Sequence, residues 1–118
     1  MPATLQEVHA YLADLARTGA EPITYTKLAN HFEMFIDTEA DVGFWSRMLE
    51  QVSRAEHARG HPLLSAFVIS GEMRIPGPGF YSLARELKRY TGKTEHDKVA
   101  FFAEEMKRLY VHWGQTKA

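Results

Sequence analysis

Cysteine is missing from all 118 residues of this chain. That absence excludes disulfides, thiolate zinc sites, iron–sulfur clusters and any cysteine nucleophile. The sequence also lacks the run of about 20 apolar residues that a membrane-spanning helix needs, and its opening, MPATLQEVHAYLADLA, has neither the basic nor the apolar region of a secretion signal. A cytoplasmic location with no membrane partner is therefore expected. Neither sign of charge dominates: 14 basic side chains stand against 15 acidic ones, so the overall balance announces no polyanion. Up to Ser82 there are 6 basic and 10 acidic side chains and beyond it 8 and 5, a mildly basic second part whose plainest account is a solvated helix surface. Repeats and low-complexity tracts are missing too.

What is there is ordinary for a folded chain, with 45% apolar and 25% charged residues. The length suits a single domain over residues 1–118 with a core large enough to need no staple. Thr4 can cap a first helix in which Leu5, Val8, Leu12, Leu15 and Ala16 recur at helical spacing before Thr18-Gly19 ends it. Ile23-Thr24-Tyr25 is short and extended, and Thr24 or Thr26 can cap a brief second helix through Phe32. Asp41 is the expected cap of a third helix with an apolar face of Phe44, Trp45, Met48, Leu49, Val52 and Ala55, stopped by Gly60 and Pro62. LLSAFVIS, residues 63–70, reads as a buried strand, with residues 72–75 as the returning arm of a hairpin. The turn PGPG then feeds a helix from residue 80 to about 90. A last helix begins near Thr94 and places Val99, Phe102, Met106, Leu109 and Trp113 on one stripe. Trp45 and Trp113, with Phe101, Phe102 and Tyr110, are expected in the core.

Three helices followed by a hairpin is the order of a winged helix, so the expected fold is α+β, winged-helix-like, extended by two C-terminal helices. Three segments carry a resemblance. ITYTKLANHF resembles the TYGxLA-type segment of the alkylguanine-DNA alkyltransferases and their alkyltransferase-like relatives; GHPLLSAFVIS sits where that family has its PCHR strand; GEMRIPGPGFYSLARELKR is similar to its hairpin, glycine-rich turn and helix. The match covers roughly residues 20 to 90 and implies a DNA-binding winged helix. Ser65 stands at the place of the family's cysteine and Ala66 at that of its histidine, so the resemblance implies no alkyl transfer. Ala40 stands where the family's base-displacing arginine would be. The pair PLLSAFVIS and PGPGF also resembles a group of bacterial and phage proteins of unassigned activity.

Were DNA the partner, Arg47, Gln51 and Arg54 would read bases from one face of the third helix, arginine and glutamine being suited to bidentate contacts. Lys27, Arg74, Lys88 and Arg89 would supply phosphate contacts. Asp37, Glu39, Asp41 and Glu50 oppose that approach by their charge. Glycines ahead of a helix can also leave N–H groups free for an anion, which makes Gly77, Gly79 and Phe80 a candidate small-ligand loop. His57 and His61, with Glu56 beside them, have the spacing of a helical metal pair, but Gly60 interrupts the helix, so no metal ligand is assigned. With no carboxylate pair beside a lysine, no histidine-rich metal motif and no nucleophile elbow, the expectation is a non-catalytic binding protein without a cofactor. Double-stranded DNA is the first expected partner, and a protein partner, as for a phage or prophage inhibitor of a host defence complex, is the alternative. Both a monomer and a homodimer fit the sequence.

Overall fold

The computed structural model describes residues 3–114. In chain order it contains α1 (Leu5–Arg17), β1 (Ile23–Thr24), α2 (Tyr25–His31), α3 (Glu39–Ala58), a 3₁₀ turn (Leu64–Phe67), β2 (Val68–Ile69), α4 (Pro78–Glu86) and α5 (Glu95–Gly114). The fold is α+β, dominated by its helices.

Local chemistry sets the helix ends. Thr4 accepts from the Glu7 N–H while Glu7 accepts from the Thr4 N–H, and Thr38 and Asp41 repeat the same reciprocal box at the start of α3. Asp41 thus belongs to the first turn of α3, and the cap itself is Thr38, earlier than expected. Four helices close with the same hydrogen-bonded turn, in which the chain passes through a left-handed residue and folds back on the last turn. Glycine occupies that position after α1 and α3, at Gly19 (φ 75°) and Gly60 (φ 77°), but Glu33 (φ 57°) and Lys88 (φ 62°) occupy it after α2 and α4. After α3 the turn brings the His61 N–H to the Glu56 carbonyl at 2.9 Å.

Residues 62–69 are buried throughout and run through the middle of the molecule, packed against α1, α3 and α5. The expected strand here is mostly a 3₁₀ turn, and only Val68–Ile69 is extended. These two residues pair in parallel with β1, Ile23 opposite Val68 and Thr24 opposite Ile69. The expected hairpin does not form: residues 71–75 make a tight loop, closed by the Ser70 N–H on the Ile75 carbonyl at 2.8 Å and the Arg74 N–H on the Ser70 carbonyl at 2.9 Å.

A chain segment buried without a sheet must find other partners for its polar backbone. Side chains supply them. The Leu63 N–H donates to Glu105 Oε2 of α5 at 2.8 Å, and the Ser65 N–H donates to Ser53 Oγ of α3 at 3.0 Å. Ser53, Glu56 and Glu105 are accordingly buried on helix faces that periodicity assigns to apolar residues. Around this segment pack Val8 and Leu12 of α1, Leu28 of α2, Trp45, Leu49 and Val52 of α3, and Leu109 of α5. Val99, expected on the core stripe of α5, is half exposed at 50%.

Candidate functional site

Five segments converge on one cavity of about 420 Å³, within the size range of small-ligand sites. Tyr25 enters from the start of α2, Val42, Ser46, Arg47, Leu49 and Glu50 from α3, and Ser65 from the 3₁₀ turn. Ser70 and Gly71 enter from the end of β2, and Gly77, Pro78, Gly79, Phe80 and Leu83 from the turn and first helical residues of α4. The walls are mainly apolar, with hydroxyls from Tyr25, Ser46, Ser65 and Ser70 spaced around them.

The PGPGF turn shapes one side. Pro78 takes the first helical position of α4, where its missing N–H costs nothing, and Gly77 caps the helix without a side-chain bond. A Cβ on Gly77 would press on the Tyr25 hydroxyl at 3.1 Å, to which the Gly77 N–H donates at 3.3 Å. Burial pushes the Tyr25 phenol up, against the smaller opposing effect of the Gly77 N–H. Gly79 has open space where a side chain would sit.

Ser65 lies on the inner wall. Its hydroxyl is 2.6 Å from that of Ser53, so the group at the cysteine's place in the resemblance is held by another serine. Among the described residues, no histidine or carboxylate hydrogen-bonds Ser65, and a hydroxyl needs such a base to become a useful nucleophile.

The cationic candidates divide by what they hold. Arg47 is exposed at the cavity, its guanidinium lying back over Gly43, and it joins no ion pair among the described residues. Gln51 is exposed one turn further along α3, and Lys27 is exposed on α2. Arg54 is occupied: it bridges Glu50 at 2.9 Å and Glu86 at 2.6 Å, bonds that raise its pKa and fasten α3 to α4. Arg89 is likewise internal, donating to the His61 carbonyl at 2.9 Å and lying 3.8 Å from Glu105. Arg74 and Lys88 are exposed in left-handed turns, Arg74 in the loop of residues 71–75 and Lys88 behind α4. The seven residues therefore do not form one basic face. Gly77, Gly79 and Phe80 do come together, with Arg47, at the cavity.

Sequence reasoning missed Tyr25, Ser46 and Ser70 as lining residues. The one signal was indirect, in the TYGxLA-like segment that contains Tyr25, since five separated segments meet only after folding. No protein family, curated protein or solved structure matches the chain.

Proposed function

We propose that this chain is a non-catalytic binding protein whose recognition site is the cavity between α3 and the PGPGF turn. Its ligand is a flat apolar or aromatic group with a polar or anionic edge. The observation that carries this reading is the convergence of apolar walls, four hydroxyls and the ion-pair-free Arg47 on one cavity of ligand size. Leu49, Phe80 and Leu83 offer contact area to a ring, and Arg47 offers charge at its edge.

A second reading makes that group a base presented by double-stranded DNA. Arg47 and Gln51 favour it, standing exposed at i and i+4 on α3 beside the cavity. What supports this reading in the scaffold is the order α1, α2, α3 alone, since residues 71–75 form a tight loop and not the hairpin of a wing. The acidic residues on the same side and the internal pairing of Arg54 and Arg89 favour the small-ligand form over groove reading.

Two titrations test these readings. A panel of aromatic acids and nucleobases is followed by thermal shift and NMR, and labelled duplexes with and without an unpaired base are followed by anisotropy at about 50 and 200 mM salt. Ser46→Trp, which fills the cavity from an exposed position, should abolish ligand binding while the fold persists. Arg47→Ala with Gln51→Ala should weaken salt-sensitive DNA binding if DNA is the partner. Ligand and DNA titrations that both stay flat would overturn both readings and shift the function to a protein partner.

A further inference from the structure

Near the C-terminal end of α3, two turns beyond the cavity residue Leu49, a fully buried carboxylate is flanked by imidazoles. Glu56, in the last turn of α3, has no exposed surface. His61 reaches it through the helix-terminating turn at Gly60: that motif normally sets an apolar contact between the helix residue and the returning chain, and here the two positions are Glu56 and His61. Nδ1 of His61 lies 2.6 Å from Oε2 of Glu56. His9 of α1 hydrogen-bonds the other oxygen through Nε2. From α5, His112 places its ring centroid 4.2 Å from that of His61. Arg59 is the remaining charged group facing the carboxylate, at 3.7 Å and largely exposed. Trp113 walls the cluster, edge-on to His9, His61 and His112.

We propose that Glu56, His61 and His112 form a binding site for a divalent transition metal of the zinc class. Glu56 coordinates through Oε2, and His9 steadies the carboxylate through the opposite oxygen. One ligand atom from each of the three residues lies within 4.8 Å of the other two. Tetrahedral zinc with bonds of about 2.0–2.1 Å needs its ligand atoms about 3.3 Å apart, so the pair His61 Nδ1 and Glu56 Oε2, now 2.6 Å apart, must open to admit the ion. His61 and His112 are both partly exposed and free to make that adjustment. The metal takes the place of the proton shared between His61 and Glu56. A carboxylate and two imidazoles leave a fourth position for water, and oxygen and nitrogen donors of this kind suit zinc, cobalt and nickel. A hydrogen-bonded network alone would leave the pair Glu56 and His61 satisfied but, among the described residues, gives the His112 ring nitrogens no hydrogen bond, whereas a shared metal would use one of them.

The test uses tag-free full-length protein stripped with EDTA. Zn²⁺ binding is measured calorimetrically and Co²⁺ binding by its visible absorption, which reports coordination geometry. One equivalent should bind. His112→Ala should lower affinity by more than the roughly 10–100-fold that losing an outer hydrogen-bond partner costs, whereas His9→Ala should fall within that range and His57→Ala should leave it unchanged. Circular dichroism establishes that each variant is folded, and the partly exposed His112 makes that variant the decisive one where Glu56→Gln unfolds. Absence of saturable binding, or binding undiminished in a folded His61→Ala/His112→Ala double variant, would overturn the site.

Discussion

Two residues show how backbone conformation costs stability where side-chain contacts reveal nothing. Glu33 and Lys88 hold left-handed backbone at the ends of α2 and α4, doing what Gly19 and Gly60 do after α1 and α3. A residue with a Cβ is penalised there by about 1–2 kcal/mol, partly offset by the extra freedom glycine has in the unfolded chain. Lys88→Gly should therefore stabilise the protein by about 0.5–1 kcal/mol, read as a rise in the midpoint of urea unfolding. An unchanged midpoint would mean that the lysine side chain makes a compensating contact. Neither position was legible in the sequence as a turn of this kind. Lysine and glutamate carry no turn signature, and the closing hydrogen bonds decide the conformation.

At the scale of the element, the caps were the most legible feature, because capping is local. Thr4 was expected as a cap and Thr24 was one of two candidates with Thr26, and both Thr4 and Thr24 accept the N–H three residues on. Two carboxylates at helix starts, Asp41 of α3 and Asp97 of α5, titrate below their ordinary value. Asp41 accepts from the N–H groups of Asp37 and Thr38, and Asp97 from those of Lys93 and Thr94. A carboxyl whose folded pKa lies below its unfolded one stabilises fully above the unfolded value, here 3.8, and that contribution disappears as pH falls through the lowered folded value. Acid unfolding should steepen below pH 3.8, and Asp41→Asn with Asp97→Asn should flatten that part of the profile of melting temperature against pH. Equal slopes in wild type and variant would remove the caps from the account of acid sensitivity. The hairpin was the element misread. A short apolar run, β-branched at its end and followed by a glycine, predicted a strand with a local return arm, whereas β2 found its partner more than 40 residues earlier, in β1.

For the whole molecule, the buried segment of residues 62–69 is the organising feature, and Glu105 is the group it depends on most. Its carboxylate satisfies the Leu63 N–H and draws in Arg108 at 3.1 Å. Glu105→Ala leaves a buried N–H without its acceptor and opens a void, so a loss of about 3 kcal/mol or more is expected. Glu105→Gln, which retains an acceptor, should cost clearly less. Denaturant titration of both variants checks the ordering, and equal losses would show that charge, not the acceptor, is what the segment requires.

The sequence by itself determined the number and rough extent of the helices, the cap of the first and the larger part of the apolar core, because these follow from spacing and local hydrogen bonding. It also marked the PGPGF turn and Ser65 as places of interest, through residues adjacent in the chain. Only the tertiary structure decided that Arg54 and Arg89 are held in internal pairs while Arg47 is not, since partners such as Glu86 and Glu105 come from other helices. It alone decided that Glu56, rather than His57, meets His61, and that His9 and His112 join them. Helical spacing fails once the chain reverses at Gly60, and a constellation drawn from three helices and a turn exists only where packing brings those elements to one point.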